Sequence, residues 1–342
     1  MTAKSCIKPA LFAAARWAGV NALLRRVHRR RLLVLCYHGV VADDHPEDPG
    51  RMGVAVSLRE FQEQMLLLMH HFAPISFEAL LESQEKNTRL PDHPVLITFD
   101  DGLRNSLTCA APVLERLGAP AVFFVTTGLI ANRGLLWTHE LYERVLAWNQ
   151  PSLPMPDDSR DVATPPSLTG RIELAGRISG CCKRISDDAR LRYLERLRNA
   201  PLILEQEWHR ELYEMLTWDE ARTLSAKGFE IGSHTVTHPI LTRLDVASLR
   251  CELRDSKAAI ERELGKVCRC IAYPNGGAAD VNPTVVRVAR EAGYALGVTL
   301  SGRINAKSPS MLEIDRLCVT SSLSRNAFRA RLSGLASLIG RA

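Results

Sequence analysis

Val95-Leu-Ile-Thr-Phe-Asp-Asp-Gly102 reads as a short buried strand that stops on two adjacent carboxylates and a glycine. Val95 to Phe99 are all apolar or β-branched and lie between Pro94 and Gly102, the pattern of a strand covered on both faces. Such strands belong to parallel sheets flanked by helices. Those sheets keep their chemistry at the strand ends, which is where Asp100 and Asp101 fall. Neighbouring residues on a strand point to opposite faces, yet in the turn that follows both carboxylates can face one cleft. Alone, Asp-Asp-Gly is also an ordinary turn; a second element far downstream weighs against that reading.

On either side the same pattern repeats. Upstream, Arg31-Leu-Leu-Val-Leu-Cys-Tyr-His-Gly39 is a first strand ending in Tyr37 and His38, and Ser57-x-x-Glu60 is a capping box opening a helix through about His71. Downstream, a helix around 103–117 closes at Gly118, and 121–126 (Ala-Val-Phe-Phe-Val-Thr) is another apolar strand. Strand, helix and strand in this rhythm imply βαβ units and a parallel sheet. Residues 131 to about 216 interrupt it with Trp137, prolines 151, 154, 156, 165 and 166, and a charged helical region through about Arg198. They read as a largely helical insertion, too polar to need a large core of its own. Alternation then resumes. Thr217-x-x-Glu220 is a second capping box, and strands are predicted at 229–233, 270–273, 295–299 and 316–320. Helices near 245–264 and 283–292 lie between them, closed by Gly265 and Gly293, the second opened by Pro283. About seven alternating strands predict a (β/α) barrel or a near relative over residues 32–320, with a C-terminal helix over 321–342.

Composition narrows the class. With 46% hydrophobic and 24% charged residues in 342, the chain is an ordinary globular protein with room for a sizeable core. No apolar run approaches the roughly 18 residues of a membrane span. Nine cysteines, an odd number without framework spacing, point to a reducing compartment rather than a disulfide scaffold. Cys181-Cys182 and Cys268-x-Cys270 have no partnering Cys-x-x-Cys, which argues against a structural zinc site made of cysteines.

The net charge of +6 is local. Residues 1–31 carry eight Lys and Arg and no acidic residue, so the remainder is slightly acidic at −2 and nothing in it suggests nucleic acid. In that basic segment Ala13, Trp17, Val20, Leu24 and Val27 form an apolar stripe at helical spacing. Such a helix suits an anionic membrane surface; it also suits packing on the domain with a solvated basic face. A secretory signal is the third reading, but the run 10–15 is interrupted by Arg16 after six residues. The expected location is the cytoplasm, with peripheral contact on the inner membrane face.

Gly232-Ser-His-Thr-Val-Thr-His238 is the second element. Two histidines four apart can place both imidazoles on one metal if the backbone there is a helical turn. They follow a predicted strand directly and so open a loop at the same face of the sheet as Asp101. One carboxylate and two histidines make a three-ligand site with an open position, the arrangement of catalytic zinc.

At these residues the sequence resembles the polysaccharide deacetylases of the NodB-homology type, carbohydrate esterase family 4. Thr98-Phe-Asp-Asp-Gly102 matches that family's first motif and Ser233-His-Thr-Val-Thr-His238 its second, about 130 residues apart. Ala272-Tyr-Pro-Asn-Gly276 is similar to the third, which more often reads Arg-x-Pro-Tyr. The resemblance implies a distorted (β/α)7 barrel and hydrolysis of N-acetyl groups on amino sugars of a polysaccharide, oligosaccharide or lipid-linked glycan. By position it implies that Asp101, His234 and His238 hold Zn²⁺ or another divalent metal such as Co²⁺, Ni²⁺ or Mn²⁺. Asp100 is then the general base, the Asn275 N–H meets the oxyanion, and Tyr273 and Pro274 contact substrate or merely end the strand.

Two departures stand out. The family's third-motif Arg falls at Ala272, and no His follows His238 to act as the late general acid. A barrel returns its last strand beside its first, so Arg316 can replace the missing Arg beside Asp100, and His38 the missing acid. Otherwise Arg316 pairs with Asp315 or Glu313 at the rim and His38 is a satisfied buried histidine. The alternatives to a deacetylase are a catalytically weak carbohydrate-binding barrel and a hydrolase of another non-peptide C–N bond.

Overall fold

Short runs of β-branched and aromatic residues become the strands of one parallel sheet. In the computed structural model, which describes residues 19–43, 55–157, 160–202 and 211–338, β1 (Leu33–Tyr37) is followed by a small parallel ladder of β2 (Gly39–Val41) and β3 (Ala55–Ser57). Next come β4 (Ala73–Pro74), β5 (Pro94–Phe99) and β6 (Ala121–Val125). A hairpin of β7 (Ser152–Pro154) and β8 (Asp161–Ala163) precedes β9 (Glu230–Ser233), β10 (Cys270–Ala272), β11 (Leu296–Val298) and β12 (Leu317–Cys318). The main sheet runs β11-β10-β9-β6-β5-β1-β12, with β4 added on β5. A bridge from Val298 to Ile314, just ahead of β12, draws the two edges together, so the sheet curls into a distorted barrel.

Strand parity decides what fills it. Leu33, Leu35, Tyr37, Val95, Ile97, Phe99 and Phe123 face the surrounding helices, while Val34, Leu96, Val122, Phe124, Ala272 and Val298 fill the interior. On the outer face Tyr37, Phe99 and Phe123 stack in a row at 5.5 and 4.8 Å, each burial worth about 1.5–3 kcal/mol. The same parity turns Cys36, Thr98 and Asp100 inward. On β9 only glycine fits position 232, because a Cβ would come within 2.5 Å of Phe124 and 2.7 Å of the Cys270 sulfur.

The helices follow their capping signals: α1 (Val20–Val27), α2 (Leu58–His71), α3 (Phe77–Glu85), α4 (Ala111–Leu117), α5 (Thr127–Asn132), α6 (Trp137–Leu146), α7 (Leu168–Cys182), α8 (Asp187–Leu197), α9 (Trp218–Ala226), α10 (Val246–Leu264), α11 (Pro283–Glu291), α12 (Arg325–Ser333) and α13 (Leu335–Leu338). Both capping boxes form, Ser57 with Glu60 and Thr217 with Glu220. Four expectations need correction. The helix expected from residue 103 opens as a π-helix at Ser106–Ala110, because Pro112 has no N–H to give the carbonyl of Thr108. The single C-terminal helix is two, split by the left-handed Gly334. The insertion does have its own core, built by Trp137, Leu141, Leu153, Ile178, Tyr193 and Leu197 from separate short elements. It also holds the β7–β8 hairpin in the proline-rich stretch. At the N-terminus Ala13 and Trp17 lie outside the described residues; within α1, Asn21 packs on Ser333 of α12 while Val27 is exposed. No helix among the described residues is long and apolar enough to cross a membrane.

Candidate active site

β5 carries Asp100 into the barrel mouth, anchored by the Asp100 N–H on the Tyr37 carbonyl at 2.9 Å. The chain then turns left-handed at Asp101 (φ 74°) and Gly102 (φ 82°), which swings the second carboxylate into the same space. Opposite, β9 ends at Ser233 and His234 begins the loop, its N–H on the Val125 carbonyl. The backbone between the histidines is not a helical turn. Thr235 (φ 69°) and His238 (φ 61°) instead adopt left-handed backbone and bring the rings to 4.8 Å. A β-branched threonine there costs on the order of 1–3 kcal/mol. Glu252 of α10 holds the loop by accepting the N–H groups of Val236 and Thr237 at 2.7 and 3.0 Å, and the Trp137 indole donates to the His238 carbonyl at 2.9 Å.

The result is a shared focus. Asp101 Oδ1 lies 3.5 Å from His234 Nε2 and 3.6 Å from His238 Nε2. Tetrahedral ligands at about 2.0–2.2 Å from zinc stand about 3.4 Å apart, so the three atoms fit one divalent ion. His234 Nδ1 donates to the Ala272 carbonyl at 2.7 Å, and the tautomer that carries this N–H presents Nε2 as a lone pair facing the focus. Burial and the His234 ring lower the His238 pKa to about 3 against the pull of Asp101, so this ring is neutral, as a ligand must be. Burial opposes the charge on Asp101, but its contact with His234 and the charge of His38 outweigh it and hold the carboxyl well below its usual range.

Asp100 stays off that focus, with its Oδ2 3.9 Å from His234 Nε2. Arg316, which immediately precedes β12, forks onto it: Nη1 to Oδ1 at 2.6 Å and Nη2 to Oδ2 at 2.7 Å, with Nε on the Thr299 carbonyl and Nη1 also on Thr98. Burial would raise the Asp100 pKa, yet the guanidinium and His234 bring it down to about 2. The rim pairing of Arg316 with Asp315 or Glu313 does not occur; Asp315 bonds Thr299 instead. His38 is half-buried at the end of β1 and lines the same cleft. Burial depresses it, but Cys318, Asp101 and Asp100 outweigh that and raise it to about 9.

The third motif turns on Asn275, also left-handed at φ 61°. Among the described residues its N–H has no protein acceptor, while its side chain accepts from Lys183 Nζ at 2.8 Å and donates to Asp280. Of the two residues expected to contact substrate or merely end the strand, Tyr273 lines the cleft with its hydroxyl committed to the Leu312 carbonyl at 2.9 Å, and Pro274 is buried outside the cleft lining. Sequence reasoning missed Leu136, Trp137 and Lys183, which the insertion contributes to a cleft of about 160 Å³. It also missed Cys36 and Cys318 beside His38. Nothing in local spacing marks these residues, because tertiary packing alone brings them here.

The polysaccharide deacetylase family model matches residues 87–297, more than half of the chain. The chain belongs to the polysaccharide deacetylase family. YxkH of Bacillus subtilis, whose name places it among polysaccharide deacetylases, is 27% identical over 120 residues, 35% of this chain and 42% of that protein. This chain therefore spans less than half of that relative's length. Among solved structures, the Streptococcus pyogenes deacetylase PplD, in complex with acetate, is similar at a TM-score of 0.59 and 18% identity, over 88% of this chain and 98% of that one. IcaB from Ammonifex degensii gives 0.56 and 20%, over 89% and 97%. These likenesses show the fold, and the family supports a carbohydrate deacetylase.

Proposed function

We propose that this chain is a metal-dependent hydrolase that removes N-acetyl groups from the amino sugars of a polysaccharide, oligosaccharide or lipid-linked glycan. One observation carries the reading: Asp101 Oδ1 faces two histidine Nε2 atoms while the neighbouring Asp100 is held away from them by a buried Arg316. Asp101, His234 and His238 would hold the ion, Zn²⁺ or another divalent metal. When bound, such an ion supplies Lewis acidity to a carbonyl oxygen and to water. Asp100, ionised and oriented by the Arg316 fork, takes the proton of the attacking water. The Asn275 N–H donates to the oxygen that becomes negative as the amide carbon turns tetrahedral. His38, carrying a proton below about pH 9, delivers it to the departing amine.

The test is elemental analysis of the purified chain together with acetate release from chitin oligomers. Asp100→Asn should keep the metal and slow acetate release about 10²–10⁴-fold. His234→Ala/His238→Ala should lose the metal. An Asp100→Asn protein that also loses its metal overturns the division of roles between the aspartates. His38 offers its proton below a pKa of about 9 and loses it above, so kcat/KM should fall as pH rises through 9. His38→Gln should be slower throughout and lack that limb; an unchanged limb removes His38 from the mechanism.

A further inference from the structure

Beside the proposed hydrolytic centre lies a group of different chemistry. Cys36 of β1 and Cys318 of β12 are register partners on adjoining parallel strands. Their sulfurs and a ring nitrogen of His38 all lie within 4.8 Å of one another. The His38 Nδ1 is buried with no hydrogen-bond partner, and Cys36 directs its thiol at Asp100 Oδ2, 3.4 Å away. His38 and Cys318 both line the cleft, so an ion can reach the group from solvent.

We propose that Cys36, His38 and Cys318 form a second, thiolate-rich site for a soft divalent ion such as Zn²⁺, whose occupation switches hydrolysis off. Zinc–sulfur bonds of about 2.3 Å and zinc–nitrogen bonds of about 2.0–2.1 Å set ligand atoms roughly 3.4–3.8 Å apart, a short adjustment from the present arrangement. Two thiolates and an imidazole prefer Zn²⁺ or Cd²⁺ to Mg²⁺ or Mn²⁺, and the fourth position opens to the cleft. Binding displaces the protons held by the two thiols and by His38 and leaves a centre of no net charge. Two cysteines that only packed the strands would have no need of a histidine nitrogen beside them. The inhibitory part rests on the proposed function: the ion would take the His38 lone pair that otherwise carries the leaving-group proton.

Cd²⁺ titration of the reduced, chelator-stripped full chain tests binding separately from catalysis, through thiolate-to-cadmium absorption. Wild type should take up two equivalents, one of them with thiolate absorption. That absorption should be lost in Cys318→Ser and kept in His234→Ala/His238→Ala. With Zn²⁺, acetate release should rise with the first equivalent and be lost with the second, whereas Cys318→Ser should keep its own activity in excess metal. Absorption undiminished in Cys318→Ser, or recovery of Cys36 and Cys318 joined in a disulfide, overturns the site. Thiolate absorption without any metal-activated acetate release upholds the site and overturns the proposed function. If Cys318→Ser does not fold, Zn²⁺ protection of Cys318 in wild type against alkylation decides, and absence of protection overturns the proposal.

Discussion

Arg316 is 1% exposed, and its charge is matched by a carboxylate that is itself buried. Neither ion can be removed alone without stranding the other, which costs about 3–5 kcal/mol in a buried pair. Arg316→Ala should therefore lower stability to chemical denaturation by about that amount. Asp100→Ala/Arg316→Ala should recover much of the loss, since it leaves no orphan charge; strictly additive losses in the double-mutant cycle would show that the two are not coupled. Residues that announce themselves through a local pattern were legible in the sequence: Asp100, Asp101, His234 and His238 stand beside predicted strand ends. Arg316 was legible through the rule that a barrel closes on its first strand. Cys36 and Cys318 were not, because residues so far apart in the chain meet only once that closure has formed. The left-handed backbone of Thr235 was hidden too, since threonine rarely signals such a turn.

At the scale of the element, β9 joins two environments. Its C-terminal end delivers His234, and its first residue, Glu230, sits at the opposite end among Glu78, Lys266 and Arg269. Burial and the Glu78 charge push Glu230 up to about 7, against Arg269 and Lys266. A carboxyl whose folded pKa exceeds its unfolded value of about 4.5 binds more protons when folded. Its contribution is intact below about pH 4.5 and is lost as pH rises through 7. Glu230→Gln should leave stability unchanged near pH 4.5 and raise it at pH 8 by on the order of 1 kcal/mol, after discounting for solvent screening. Denaturant unfolding at both pH values checks this, and an equal effect at each would remove Glu230 as the cause. The strands were legible because unbroken apolar runs survive any context. Their ends were less so: β12 holds only two residues, although the Val319 N–H beyond it still bonds the Cys36 carbonyl of β1.

For the whole molecule, the insertion matters more than its polar composition suggests. It leaves after β6 and returns at β9, and these two strands pair directly, so the sheet continues unbroken across the excursion. Its separate core braces Trp137 against the His238 loop and sets Lys183, at the end of α7, against Asn275. Burial lowers the Lys183 pKa, with Asp280 and Asp101 opposing. Lys183→Met should raise KM for acetate release about tenfold, the worth of one charge-assisted hydrogen bond, with kcat changed far less. A large fall in kcat at constant KM would instead place Lys183 in the chemistry. The order in which the chain is made gives the late position of Arg316 a further meaning. A ribosome releases Asp100, then both histidines, and only much later the residue that neutralises Asp100. Until β12 docks on β1, the nascent barrel holds an unbalanced charge at its mouth, which keeps it open to water and unfinished. On the proposed mechanism, competence for hydrolysis would arrive together with closure of the barrel, and a chain halted before residue 316 would possess the histidines without an oriented base.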